Sequence, residues 1–182
     1  MSNLADASGF NKRVAPYIGR KEVKEHQELL LQRMAQDHLD FEGTVLDIGC
    51  GDGTFLKRLA DMWPGARCLG IDANEDLVAQ ARSLHVKTNL EFEVADAVNY
   101  YPPARPDIIV ASGVMGIWED FRVPLRTWCD WLSQTGELYI FGRFNSAPVD
   151  TVVRFRMYGE EEWQGGLTSY SLRTVQEFAA SL

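Results

Sequence analysis

Val45-Leu-Asp-Ile-Gly-Cys-Gly-Asp-Gly-Thr-Phe55 reads as a buried strand entering a glycine-rich turn and then a helix. Gly49, Gly51 and Gly53 alternate through the turn, where glycine permits positive φ and lets another group approach the backbone. A helix N-terminus behind such a turn offers free N–H groups and a positive dipole end, which together cradle a small ligand. Nineteen residues past Gly53, the next apolar run ends at Asp72 in Leu69-Gly-Ile-Asp72. An acid in that place can accept hydrogen bonds from a ribose diol. These two features predict a ligand built like an adenosine.

The rest of the chain alternates in the same way. Predicted strands are 45–48, 67–71, 90–95, 107–111 and 137–141. Between them lie helices at 54–63, at 75–84 and from Pro124 to Leu132, the proline fitting a first turn. Strands alternating with helices mean a parallel sheet covered on both faces, a three-layer α/β/α sandwich. Ligands of such sheets sit at the carboxyl ends of the strands, at the topological switch point. Gly49, Asp72, Asp96 and Ser112 all fall at predicted strand ends.

Spacing separates the adenosine ligands. A dinucleotide fingerprint is G-x-G-x-x-G/A. This frame reads Gly49-x-Gly51-x-x-Thr54, so the third glycine, which packs helix on strand, is missing, and Gly53 comes one residue early. An NAD(P)-dependent oxidoreductase is therefore the alternative reading, and no Tyr/Lys or metal set for hydride transfer supports it.

Asp47-Ile-Gly-Cys-Gly-Asp-Gly53 resembles motif I of the class I S-adenosylmethionine-dependent methyltransferases, with Asp72 as that family's second-strand acid. Glu93-Val-Ala-Asp96-Ala97 resembles the segment after its third strand, and Pro106 to Val114 its fourth strand and exit loop. The likeness runs roughly from Gly43 to Gly142. It implies a Rossmann-like sheet of order 3-2-1-4-5 and S-adenosyl-L-methionine as cofactor. Asp47, Gly49 and Gly51 would face the methionine end, and Asp72 the ribose. Asp96 and Ala97 would meet the adenine, and Ser112 and Gly113 would floor the place where methyl and acceptor meet. Cys50, Gly53 and Ala73 complete the cofactor-binding set, with the Cys50 thiol buried in the turn and not a nucleophile. The family's sheet continues with a further strand pair, for which this sequence has no residues; the expectation is that the pair is missing or truncated.

Composition bounds the partners. The 182 residues suit one domain, and 46% are apolar. Twenty-six acids against eighteen Lys and Arg give a net charge of −8, which disfavours nucleic acid as a partner. Cys50, Cys68 and Cys129 show no CxxC spacing and fit free thiols in a reducing cytoplasm, with neither a disulfide framework nor a metal site. The N-terminus lacks the basic start and apolar core of a signal peptide, and no run is long enough to span a bilayer. The oligomeric state is open, a dimer included.

Methyl transfer from a sulfonium needs positioning and desolvation more than a protein nucleophile. A hydroxyl acceptor would benefit from a general base, and the sequence does not identify one. His26, His38 and His85 read as surface histidines. His26 and Tyr17 are candidates because N-terminal segments in the resembled family often close over the cofactor. Met115 and Trp118 could line a small-molecule acceptor pocket or pack beneath the next helix. Arg143, with Arg154 and Arg156, could hold an anionic acceptor or form a solvated strand face. Asn99-Tyr-Tyr-Pro-Pro103 has the look of the Asn/Asp-Pro-Pro-Tyr box of enzymes methylating amide or adenine nitrogens, but it precedes the fourth strand where that box follows it. Three regions follow: an arm and helix over 1–40, a Rossmann-like domain over 41–182, and within it a substrate-binding insertion at 143–170. Val152 to Tyr158 is expected as a strand, Gly159 to Gly166 as an exposed loop, and Ser171 as the N-cap of a helix reaching Ser181. A non-catalytic cofactor-binding relative is the remaining alternative.

Overall fold

The computed structural model describes residues 24–182. Five parallel strands form one sheet: β1 (Thr44–Ile48), β2 (Arg67–Asp72), β3 (Leu90–Val94), β4 (Ile108–Ser112) and β5 (Glu137–Phe141), in the order β3-β2-β1-β4-β5. β1 and β4 are the central strands, and their apolar residues are buried on both faces. The order reverses between β1 and β4, which opens a crevice at their carboxyl ends.

Helices α1 (Glu25–Asp37), α2 (Thr54–Met62) and α3 (Glu75–Leu84) cover one face. Their core joins Met34, Leu56, Leu59 and Val78 to Val45, Cys68, Phe92 and Val110 of the strands. Helices α4 (Arg122–Trp131) and α5 (Leu172–Ala179) cover the other face, burying Leu125, Trp128 and Val175 against Leu46, Ile48, Ile109 and Ala111. Pro124 lies in the first turn of α4, where a missing N–H costs nothing. The Ser171 hydroxyl accepts from Thr174 N–H and caps α5, as the sequence predicts.

α1 runs antiparallel along β5. At its C-terminal end Asp37 and His38 meet the Tyr139 hydroxyl, 2.9 and 3.1 Å away. At its N-terminal end His26 stacks on Phe141. So α1 carries its first turn to the carboxyl ends of the strands.

The region after β5 departs from expectation. A second short pair, Phe144–Asn145 (β6) with Tyr170–Ser171 (β9), ties the segment back to α5. Val152–Tyr158 is not a full strand. Only Arg154–Phe155 (β7) is extended, pairing antiparallel with Gln164–Gly165 (β8) inside the stretch expected as a loop. Of the alternating apolar residues Val153, Phe155 and Met157, Val153 and Met157 are exposed and Phe155 is half-buried, since a two-residue ladder has little to pack against. Tyr17 and the arm before residue 24 lie outside the described residues.

Candidate functional site

Two backbone N–H groups, of Gly49 and Cys50, donate to the Ile71 carbonyl at 2.8 and 3.0 Å and fold the β1 exit loop onto β2. The glycines of the loop then serve different ends. A Cβ on Gly49 would collide with Val114 Cγ1, and one on Gly53 would lie 2.5 Å from Phe92 Cζ and 3.1 Å from Ala81 Cβ. Gly53 thus does the close helix–sheet packing that the dinucleotide fingerprint assigns one residue later. Gly51 is unlike both: its φ is +57° and a Cβ there would meet nothing within 4 Å among the described residues. Gly113, at the exit of the adjacent β4, matches it with φ +81° and no neighbour within 4 Å among the described residues. These two glycines face open space at the switch point.

Asp72 braces that space. Its Oδ2 accepts from Gly51 N–H at 2.9 Å and its Oδ1 from Asn74 N–H at 2.8 Å. Burial pushes the carboxyl upward, and the two N–H donors oppose that shift. Each oxygen keeps a second lone pair for a diol. Asp47 sits deeper, only 2% exposed, in register with Gly70 of β2 and Val110 of β4. Burial, then the nearby Asp72 charge, raise it well above the usual carboxylate range. It lines the base of the cradle, not its mouth. Cys50 is buried against the Gly70 position, and burial raises its thiol. Ala73, beside Asp72, is exposed at the β2 exit.

Asp96 is exposed, and its Oδ1 accepts from Val98 N–H, Asn99 N–H and Asn99 Nδ2. That oxygen caps a turn, so only Oδ2 remains for a ligand. The Ala97 carbonyl accepts from Trp128 Nε1 at 2.7 Å, which fixes the β3 exit on α4. Ser112 holds a different kind of signal: its hydroxyl is buried and has no hydrogen-bond partner among the described residues. An unsatisfied buried hydroxyl costs free energy unless a ligand or water completes it. Open space at Gly51 and Gly113, an acid at Asp72 and a free hydroxyl at Ser112 fit a ribose-bearing ligand with a polar tail.

On the acceptor side the structure shows the packing alternative for Met115 and Trp118. Met115 does not line an open pocket; it is buried in the core beneath α4, because the short 3-10 turn Met115–Ile117 points it inward. Trp118 packs edge-on against Trp128, and its carbonyl accepts from the Tyr170 hydroxyl. The three arginines do not form one cluster either. Arg154 is held by both carboxylate oxygens of Glu119, at 2.7 and 2.6 Å, and Arg156 lies over the Trp163 ring. All three are exposed, and Arg143 lies just past the β5 exit. Among the described residues, no group of three or more His, Cys, Asp or Glu side chains could hold a metal ion, and no helix is long and apolar enough to cross a membrane.

The family described as "Methyltransferase domain" matches residues 45–136, half of the chain and the whole of the glycine loop, the acids and β4. The chain belongs to this family. The trans-aconitate 2-methyltransferases of Azoarcus sp. and Afipia carboxidovorans are 35% identical over 82 residues and 34% over 97. Those matches cover 45% and 53% of this chain but 32% and 37% of the relatives, so the chain spans about a third of the curated relatives it matches. Among solved structures, the DhpI–SAM–HEP complex superposes with TM-score 0.71 at 16% identity, over 100% of this chain and 90% of that one. The plantazolicin methyltransferase BpumL in complex with SAH superposes with TM-score 0.57 at 25% identity, over 75% and 51%. The fold is that of the class I S-adenosylmethionine-dependent methyltransferases. Within this methyltransferase-domain chain, the family match stops at residue 136, before the 143–170 segment.

Proposed function

We propose that the chain binds S-adenosyl-L-methionine and transfers its methyl group to a small-molecule acceptor. The observation that carries this reading is the pair of glycines facing open space at the β1 and β4 exits, bracketed by Asp72 and the unpartnered Ser112 hydroxyl. Asp72 would hold the ribose diol, and Oδ2 of Asp96 the adenine amine. The loop N–H groups and Ser112 would hold the methionine end. Bound there, the cofactor supplies an electrophilic methyl group on a sulfonium. The protein's part is to orient that methyl toward an acceptor and to exclude water. The 143–170 segment would stand on the acceptor side, with Arg143 at its entrance. The net charge of −8 favours a small acceptor over a nucleic acid.

The test is transfer of isotopically labelled methyl from S-adenosyl-L-methionine to panels of small hydroxyl, amine and carboxyl compounds. Labelled product with stoichiometric S-adenosylhomocysteine supports the reading. Cofactor binding without transfer to any panel would favour a non-catalytic cofactor-binding protein.

A further inference from the structure

We propose that His26 takes the proton released by the methyl acceptor: its imidazole, on the first turn of α1, is stacked on Phe141, the strand-register partner of Ser112. The inference rests on the methyl-transfer reading above. The two rings lie 4.1 Å apart and 10° from parallel, so Phe141 fixes the plane of the imidazole. Phe141 is the last residue of β5, is the register partner of Ser112, and accepts the Gly113 N–H at 2.8 Å. Neighbouring strands are ~4.8 Å apart, which sets the stack one strand from the open space at Gly113. A face-to-face stack leaves the ring edge clear, and among the described residues no hydrogen bond occupies either nitrogen.

Burial, and then the Lys24 ammonium, lower His26 from its ordinary value. It is therefore neutral at pH 7, the form that accepts a proton. The charged groups on the elements around it are Lys24, Glu25 and Glu28 on its own segment, Arg58 of α2, which pairs with Glu28, and Arg143 beyond β5.

The assignment narrows the acceptor to an O–H or N–H compound, since a carboxylate has no proton to lose. The acceptor's lone pair forms the bond to the methyl carbon. The carbon–sulfur bond breaks and its electron pair stays on sulfur, leaving a neutral thioether. The acceptor's proton passes to the open ring nitrogen of His26 and from there to water.

The test needs no acceptor. The imidazoles of His26, His38 and His85 are titrated by NMR in the full chain, with His26 assigned by its loss in His26→Gln. One titration is made with S-adenosylhomocysteine bound and one with S-adenosyl-L-methionine, which differ by one positive charge at sulfur. A unit charge about 6 Å away lowers an imidazole by about 0.5 pH unit even at the dielectric of water, and by more in a cleft. The expected result is a His26 value at least that much lower with the sulfonium, while His38, at the far end of β5, does not move. Calorimetry on His26→Gln is expected to show unchanged S-adenosylhomocysteine affinity. Equal His26 values in the two complexes, or lost affinity in His26→Gln, overturn the assignment. Failure of the unmodified chain to bind either compound overturns the methyl-transfer reading instead.

Discussion

Gly51→Ala and Gly53→Ala differ by two positions and should fail in opposite ways. Both sites have positive φ, +57° and +76°, so alanine carries a left-handed penalty of about 1–2 kcal/mol at each. At Gly51 nothing is added to that, because the new methyl enters open space. At Gly53 the methyl lies 2.5 Å from Phe92 Cζ, 2.6 Å from Phe92 Cε1 and 3.1 Å from Ala81 Cβ. Overpacking of this kind costs about 1–3 kcal/mol more. Gly53→Ala is thus destabilised by about 2–5 kcal/mol in all, or about 4–20 °C in Tm for a chain of this size. Gly51→Ala loses only about 2–8 °C. Ligand reverses the contrast. At 100 times Kd, S-adenosylhomocysteine adds about 2.7 kcal/mol to the unmodified protein. It should add much the same to Gly53→Ala, whose cradle is intact once folded, and almost nothing to Gly51→Ala, whose methyl fills the cradle. Thermal denaturation of the three proteins with and without S-adenosylhomocysteine reads these shifts. A Gly51→Ala protein stabilised by ligand as strongly as the unmodified one would show that the open space at Gly51 is not where the cofactor lies.

Asp72→Ala removes the acceptor for Gly51 N–H and the proposed ribose contact; calorimetry should show S-adenosylhomocysteine affinity lower by at least about 100-fold, two charge-assisted bonds of about 1.5 kcal/mol each. Unchanged affinity would remove Asp72 from the site. Asp47 binds its proton more tightly folded than unfolded, so its contribution to stability is full below the ordinary value of 3.8 and is lost as pH rises through the raised folded value. Asp47→Asn should therefore melt higher than the unmodified chain at pH 7, every tenfold gain in the buried carboxyl's proton affinity being worth about 1.4 kcal/mol, with the gap closing on acidification; a gap that widens toward low pH would contradict the burial argument. Burial raises the Cys50 thiol and pushes Cys68 up to about 12, so an aromatic disulfide reagent should find at most the half-buried Cys129 in the folded protein and all three free thiols after denaturation. Rapid reaction of Cys50 in the native state would show that the turn is open.

What the sequence reveals here is local. The strand–glycine–helix unit and Asp72 are legible because a continuous apolar run, a turn that needs positive φ and an acid at the next strand end are all written within a short stretch. The parallel sheet follows from the alternation, and its strand order from the resemblance at Asp47–Gly53. Contacts between distant segments are not written that way. That Gly49 must be bare to admit Val114, and that Gly53 must be bare to admit Phe92, depends on which loops the sheet brings together. His26 looks like a surface histidine until Phe141 is placed beneath it. Arg154 looks like an anion ligand until Glu119 neutralises it. Residues 152–158 carry a strand-like alternation, but alternation specifies a strand only where a core waits on one face, and none waits there. Met115 and Trp118 could be read either way because an apolar side chain after a strand serves a pocket and a core equally well.

The central claim is that the glycine cradle at the switch point takes S-adenosyl-L-methionine and not a nicotinamide dinucleotide. Calorimetric titration of the chain with S-adenosylhomocysteine, and separately with NADH, tests it most directly. Saturable one-to-one binding of S-adenosylhomocysteine, with no heat from NADH, is the predicted result. Binding of NADH alone would contradict the account.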